Sequence, residues 1–460
     1  MNAIPPLTIE LLERYDRPGP RYTSYPTAPQ FTERFGEQQL RDHIRRSNLT
    51  RRALSLYVHI PYCVSPCFYC GCNRLITRDP ARGERYLASL FQEIDLVAPL
   101  FGADREVLQL HLGGGTPNFL SPAQLLSLLK HLGRYFRFST SPQRDFSIEL
   151  DPRFVADGQV QELAAIGFNR ASLGVQDFDP AVQRAINRVQ GIEQTLKVID
   201  ACRDSGMRSV NVDLIYGLPR QSLAGFENTL AAVIAARPDR LAIYGYAHLP
   251  QLFKAQRQIN EPDLPSPQLR LELLRLAIER LGAAGYQYIG MDHFALPQDD
   301  LALAQRAGGL HRNFMGYTTH ADCDLLGLGV SAISHIGASF SQNPRELSAW
   351  EAALDEPRLP VWRGLTLDAD DLLRAEIIQR LMCQGTIDMA ALETRHGIRF
   401  TTYFGDVLQS LEALSSDGLV HIDSTHISAT DRGRLLLRVI AMCFDRYLKQ
   451  PQPVRYSKVV

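Results

Sequence analysis

No apolar run in this 460-residue chain reaches membrane-spanning length before charges interrupt it, so no membrane span is expected. Net charge is equally scarce. Its 49 Lys and Arg against 50 Asp and Glu leave −1, which offers no electrostatic footprint for nucleic acid. The first residues lack a charged n-region followed by an apolar h-region, and the chain is long enough to build a large core, which argues against a disulfide-stapled secreted fold. A cytoplasmic protein with two or three cores is expected. Internal repeats, low-complexity tracts and a coiled-coil stripe are also missing, and a monomer follows as the simplest expectation.

Cysteine is present but unevenly spread. Of eight, four crowd into ten residues at Cys63, Cys67, Cys70 and Cys72, directly after an alternating apolar stretch that reads as a strand. Thiolates select iron-sulfur clusters, zinc and copper. Three of them at CxxxCxxC spacing can hold three irons of a [4Fe-4S] cube and leave the fourth iron open for chemistry. A structural zinc site would call for a second cysteine pair elsewhere, and Cys202, Cys323, Cys383 and Cys443 stand singly in apolar or helical surroundings. A zinc or thiol-redox loop is the alternative reading of the same residues.

From Leu54 onward, strand-like runs alternate with helical ones. Strands are predicted at Leu54–Ile60, Val107–Leu112, Phe146–Leu150, Ala171–Val175, Val210–Ile215 and Leu241–Tyr246. Helices are predicted at Phe35–Arg46, Gly83–Val97, Pro122–Leu132, Glu193–Ser205 and Leu223–Ala235. Such βα repetition, with strands read as continuously apolar, implies an α/β fold: a parallel sheet under helices, closed or partly closed as a (β/α) barrel, with its site at the carboxyl ends of the strands. Further on come a long helix at Pro267–Ala284 and a strand at Gly285–Gly290. The last hundred residues turn mainly helical, with strands near Leu419–Ile422 and His426–Ala429 and a final helix over Asp431–Leu448. Together these suggest a smaller, winged-helix-like domain that serves as a lid or packing unit.

Three consecutive glycines in His111–Pro117 let a backbone approach a ligand closely, although a tight turn before the Pro122 helix explains them as well. Asp213 lies inside an apolar strand, where an unpaired charge is costly, so a ligand or a fixed partner is expected. Arg188 can meet a carboxylate bidentately or end a solvated helix, and Glu149 suits a ligand or a turn network equally. Tyr57 reads as ordinary strand packing without the cysteines beside it. His59 and His111 read first as packed, hydrogen-bonded strand residues.

Taken in order, Arg21–Ala28 (RYTSYPTA), the cysteine loop with its trailing Gly71 and Cys72, GGGTP, Ser147–Arg153, Ser172–Phe178, Val212–Pro219, Tyr246–Pro250 and Gly329–Ser334 resemble the oxygen-independent coproporphyrinogen III oxidases, a family of radical S-adenosylmethionine enzymes. The resemblance is collinear and covers most of the chain. It implies a radical-SAM partial barrel and extension at 51–365, a substrate-site or capping segment at 1–50, and a mainly helical domain at 366–460. It also implies a [4Fe-4S] cluster on Cys63, Cys67 and Cys70, with Cys72 as a further required cysteine, and S-adenosylmethionine in two copies. Tyr57, Gly114, Gly115, Thr116, Glu149, Gln176, Arg188, Asp213, Ala247 and Ile333 would line the cofactor site, with Tyr57 and Cys72 counted as catalytic.

The reaction implied is oxidative decarboxylation of two propionates of coproporphyrinogen III to vinyl groups, giving protoporphyrinogen IX, by 5'-deoxyadenosyl radicals and with a low-potential electron donor. The protein's task is then alignment and exclusion of water, with no acid-base triad required. A macrocycle bearing four carboxylates calls for cations at the rim of its pocket, and Arg21, Tyr22, Arg51 and Arg52 are candidates. In Arg312–Thr319 the chain has Met315 where the family pattern has glutamine, a thioether in place of an amide's donor and acceptor.

Overall fold

Six parallel strands run in sequence order across the sheet of the larger unit. The structure, a computed structural model, describes residues 9–449 and residue 456. The strands are β1 (Leu54–Ile60), β2 (Glu106–Gly114), β3 (Asp145–Leu150), β4 (Arg170–Gln176), β5 (Ser209–Tyr216) and β6 (Arg240–Gly245), each paired parallel with the next. On the other side of β1, β7 (Asp324–Leu328) pairs parallel and leads into an antiparallel extension of β8 (Ile333–His335), β9 (Ser339–Gln342) and β10 (Arg363–Thr366). Helices α1 (Ala81–Val97), α2 (Pro122–Leu132), α3 (Gln159–Ala165), α4 (Pro180–Ala185), α5 (Ile192–Asp204) and α6 (Leu223–Ala236) form the crossovers. This is the expected α/β architecture, with strand limits within a residue or two of those predicted.

The strands are not continuously apolar. Leu54, Leu56, Val58 and Ile60 of β1 are completely buried on one face, as are Leu110, Leu112, Ile148, Leu173, Val210, Val212 and Leu214 on the strands beyond it. Because side chains alternate along a strand, the residues between them share the opposite face. That face carries Ser55, Tyr57 and His59, then Gln109 and His111, Ser147 and Glu149, Ser172, Asn211 and Asp213. A polar row therefore crosses one face of the sheet where a filled barrel would carry branched aliphatics.

The chain divides into two compact units whose limits run differently from the sequence divisions at 50 and 365. The larger comprises residues 31–285 and 322–366; the smaller gathers 1–30, 286–321 and 367–460. Residues 31–50 belong with the sheet because Thr32 and Gly364 exchange backbone hydrogen bonds at 2.8 and 3.0 Å, while Phe31 stacks on Phe340 and His43 bonds Thr366. Within the smaller unit, helix Ala369–Gln384 is followed by a three-stranded antiparallel sheet of Thr386–Asp388, His426–Ala429 and Val420–Ile422, with helices between them, as the winged-helix-like expectation required. The strand predicted from Gly285 forms at Gln287–Gly290.

One element departs from expectation. The helix predicted over Asp431–Leu448 is three short pieces: 3-10 turns at Gly433–Leu436 and Arg446–Lys449 flank helix Leu437–Met442. Tertiary bonds outweigh helical propensity here. Gly433 is pressed against the Leu419 carbonyl, where a Cβ would lie 1.9 Å from that oxygen, and Asp445 accepts from Tyr22 Oη at 2.9 Å and from the Tyr447 amide.

Candidate active site

The cysteine loop begins where β1 ends. Two residues past Ile60, Tyr62–Cys63 pairs parallel with Leu75–Ile76, closing the loop at its base, and Thr77 N donates to Cys63 O at 3.0 Å. Its far side is anchored on the sheet's flank: Phe68 N donates to Ile186 O, Asn187 Nδ2 to Pro66 O, and Phe68 and Tyr69 pack against the buried cluster of Val182, Ile186, Ile215, Leu218, Tyr246 and Ile259. Buried Gln256 ties the loop to the segment after β6, its amide donating to Tyr69 O at 2.9 Å and Ala247 O at 3.1 Å. Accessibility rises along the loop. Cys63 and Cys67 are buried, Cys70 is half-buried and Cys72 is exposed.

The glycine run crosses directly beneath. Gly115 N donates to Ile60 O at 2.8 Å, and a Cβ on Gly115 would lie 2.7 Å from the Pro61 carbonyl and 2.8 Å from Tyr62 O, a backbone approach that only glycine permits. Gly114, at φ +114°, donates its N–H to Glu149 Oε2 at 3.1 Å. Thr116 Oγ1 stands 3.3 Å from Cys63 Sγ. The glycines thus make a close backbone crossing, and that crossing lies beside Cys63.

Along the polar row, neighbouring strands supply partners in register. His111 bonds Ser147 Oγ through Nδ1 at 2.7 Å and Glu149 Oε1 through Nε2 at 3.2 Å, and Tyr57 stacks on it with ring centroids 5.9 Å apart. His59 Nε2 donates to Asn73 O, which leaves Nδ1 to accept from Tyr57 Oη at 3.0 Å. Asp213 accepts from Asn211 Nδ2 at 2.8 Å and Ser172 Oγ at 3.2 Å. Burial and the neighbouring Glu149 charge push its carboxyl up to about 6. Burial acts on Glu149 too, but the His111 hydrogen bond, its charge and the Gly114 amide outweigh it and hold that carboxyl below its ordinary value. The Glu149 side chain is nevertheless 42% accessible, because it lies deep among strand ends yet faces open space.

Gln176 sits at a break in the β4–β5 register with φ +71°, a left-handed conformation that a non-glycine residue adopts at a cost. The next residue, Asp177, is fully buried and receives the Asp179 amide, Thr229 Oγ1 and Gln221 Nε2, which holds the kink in place. Arg188 is buried, with Nη2 donating to Gly174 O at 2.6 Å and Nη1 paired to Asp151 Oδ2 at 3.0 Å, while its Nε is left without a partner. Immediately past β3, Asp151 also binds Arg153, and both guanidiniums reach Cys67 Sγ at 3.6 Å. Asp151 and Arg153 were in the family segment but received no role from the sequence; an Asp-Pro-Arg turn directly after a strand was the signal available.

Other candidates fall elsewhere. Arg51 and Arg52 precede β1 at its amino end, seven residues of strand from the cysteines or roughly 23 Å. Arg51 there is exposed beside Asp104. Tyr22 is buried in the smaller unit against Asp445, and Arg21 is paired with Asp292. Ala247 follows β6, and half-buried Ile333 opens β8 against Gly327; neither belongs to the bonded polar row.

The donor set fits an iron-sulfur cube. Among the described residues, no three His, Cys, Asp or Glu side chains converge as ligands of one ion would, a convergence that a cube with each thiolate on a separate iron does not need. Burial pushes the Cys63 thiol up to about 11 and hydrogen bonding from Cys72 draws Cys70 down to about 6; coordination deprotonates a thiol in either case. Two guanidiniums at Cys67 suit an anionic cluster, and the orphaned Arg188 Nε and the inward Asp213 suit a zwitterionic, ribose-bearing ligand.

A parallel sheet with three such cysteines after its first strand defines a radical S-adenosylmethionine protein. The profile of the Radical SAM superfamily matches residues 57–233, and that of the HemN C-terminal domain residues 367–436. The chain is 49% identical over 451 residues to the oxygen-independent coproporphyrinogen III oxidase of Pseudomonas aeruginosa and 48% identical over 453 residues to that of Escherichia coli K12, covering 98% of each pair. A solved structure of the E. coli protein, described as coproporphyrinogen III oxidase (HemN), a radical SAM enzyme, superposes with TM-score 0.90 at 48% identity over 93% of this chain and 97% of that one. The chain belongs to the oxygen-independent coproporphyrinogen III oxidase family.

Proposed function

We propose that this chain converts two propionate side chains of coproporphyrinogen III to vinyl groups, giving protoporphyrinogen IX in haem biosynthesis. The observation that carries this is a family relationship over 98% of the chain, beside Cys63, Cys67 and Cys70 gathered on the loop after β1. When bound, the [4Fe-4S] cluster and S-adenosylmethionine supply the one-electron and hydrogen-abstraction chemistry.

The chain's residues bind and orient. Cys63, Cys67 and Cys70 would hold three irons of the cluster beside the glycine run, and the fourth iron would have no cysteine ligand among them. Gly114, Gly115 and Thr116 would meet the methionine amino end, Arg188 its carboxylate and Asp213 the ribose hydroxyls, with Glu149 and Gln176 beside them. Tyr57, stacked on His111, would wall the methionine portion, and Cys72, two residues beyond Cys70, would stand next to the cluster. Ala247 and Ile333 contribute backbone and apolar contact to adenosine and to a second bound cofactor. The protein acts as a cytoplasmic monomer supplied by a low-potential electron donor. Among the described residues no helix is long and apolar enough to cross a membrane.

Anaerobic reconstitution followed by incubation with reductant, S-adenosylmethionine and coproporphyrinogen III tests the reading. Protoporphyrinogen with about two 5'-deoxyadenosines per product supports it. Cofactor cleavage without decarboxylation moves the substrate assignment, and stoichiometric haem binding without turnover replaces the oxidase with a haem carrier. Sedimentation as a stable dimer would overturn the monomer.

A further inference from the structure

We propose that Arg153, clamped by Asp151, is a tuning residue for the iron-sulfur cluster: it donates a charge-assisted hydrogen bond to the Cys67 sulfur that raises the cluster's reduction potential. The inference rests on the reading of Cys63, Cys67 and Cys70 as cluster ligands, and it concerns a residue to which that reading gives no part.

Arg153 is not a solvated surface cation that happens to lie near a sulfur. Its side chain is 10% accessible. Its Nε donates to both oxygens of Asp151, at 3.0 and 3.2 Å, its Nη2 donates to Oδ2 at 2.6 Å, and its guanidinium lies 5.1 Å from the centroid of the Phe154 ring. Gln194 holds its carbonyl, and the Asp151 side chain also accepts its backbone N–H at 3.1 Å. The same Nη2 that binds Asp151 points its remaining capacity at Cys67 Sγ, 3.6 Å away. A long, flexible side chain has thus been fixed from three directions with the second N–H of Nη2 left for the thiolate. The ordering that usually cancels such a bond is already supplied by Asp151 and Phe154.

The electrostatic sense follows from the chemistry of the couple. Taking up an electron adds negative charge to the cluster, so hydrogen bonds to its sulfurs and positive charge nearby favour the reduced form. Arg188 makes a second contact to the same sulfur at 3.6 Å, but its Nη2 is committed to Gly174 O and it also carries the cofactor carboxylate in the proposed site. Among the described residues, the Arg153 guanidinium hydrogen-bonds Asp151 and Cys67 and lies by the Phe154 ring. Asp151 opposes it in charge while fixing its position. Burial pushes the Asp151 carboxyl up, yet the two guanidiniums and their hydrogen bonds prevail and keep it below its ordinary value, hence ionised.

The test is the midpoint potential of the reconstituted cluster in the full chain, followed by electron paramagnetic resonance during an anaerobic redox titration without S-adenosylmethionine. Arg153→Met, which keeps the apolar stem and removes charge and donors, is expected to shift the midpoint to more negative values, with Arg153→Lys shifting it less. An unchanged or more positive midpoint in Arg153→Met with full iron content overturns the proposal. Iron and sulfide counts separate the two levels: a wild-type chain that assembles no [4Fe-4S] cluster refutes the reading of the cysteine loop, whereas an intact cluster with an unmoved potential refutes the tuning role alone.

Discussion

Asp213 illustrates what a single side chain gains from its place in the polar row. Its carboxyl titrates near 6 because burial and Glu149 disfavour the charge, while Asn211 and Ser172 partly compensate. In the proposed site its ionised form would accept from ribose hydroxyls; protonated, one oxygen would become a donor and the match would be lost. S-adenosylmethionine affinity of the reconstituted protein, measured by equilibrium dialysis across pH 5 to 8, is therefore expected to fall below about pH 6. Asp213→Asn should weaken binding by roughly tenfold, as expected for loss of a charged hydrogen-bond acceptor, and abolish that pH dependence. The need for a partner at Asp213 was legible in the sequence, because a carboxylate within an apolar strand must be paid for somehow. The role of Asp151 was not, since its two arginine partners lie 2 and 37 residues away and only the fold brings both to one sulfur.

At the scale of elements, the loop after β1 and the glycine run after β2 are packed backbone to backbone. Gly115→Ala would drive a methyl into the Pro61 and Tyr62 carbonyls, which cannot rotate away as a side chain can. The expected result is a displaced cysteine loop, a cost of about 1–3 kcal/mol and a lower iron content after reconstitution. On the other side of β1, helix α1 sends Glu93 into the turn after β7, where it accepts from Gly329 N at 2.7 Å, Asn343 Nδ2 at 2.6 Å and Trp350 Nε1 at 3.2 Å. Burial outweighs these three donors and pushes its carboxyl up to about 7. A raised folded-state value means that the native chain holds the proton more tightly than the unfolded one. The stability this contributes is full below the unfolded value of about 4.5 and is lost as pH rises to about 7. The loss is on the order of 3 kcal/mol. Urea unfolding at pH 5 and pH 8 should show it, and Glu93→Gln should remove that pH dependence even though an amide nitrogen among donors lowers stability at both values.

For the whole molecule, the smaller unit depends on segments far apart in the chain. Arg438, buried, donates to Pro20 O at 3.0 Å and to Gly19 O, and Asp445, also buried, receives Tyr22 Oη. Removing residues 1–30 takes these partners from two buried charged groups at once. A loss of about 3–5 kcal/mol is expected, read as a lower Tm and as new proteolytic cleavage between 431 and 449. The same dependence explains why the terminal helix predicted from periodicity is broken. Asp445 and Arg438 answer to residues more than 400 positions away, which no local pattern records.

By itself the sequence determined the repeating βα order, the strand and crossover-helix positions and the thiol chemistry of Cys63, Cys67 and Cys70, because period, spacing and ligand softness are local properties of a chain. Tertiary structure decided the rest. Strand register chose which residues share the polar face, so that Tyr57, His111 and Ser147 align across β1 to β3. The direction of β1 sent Arg51 and Arg52 to the end opposite the cysteines, although they lie near them in sequence. Long-range hydrogen bonds converted Asp151, Arg153 and Gln256 from unremarked polar residues into the supports of the cysteine loop, since a buried donor or acceptor takes its role from whatever the fold brings within reach.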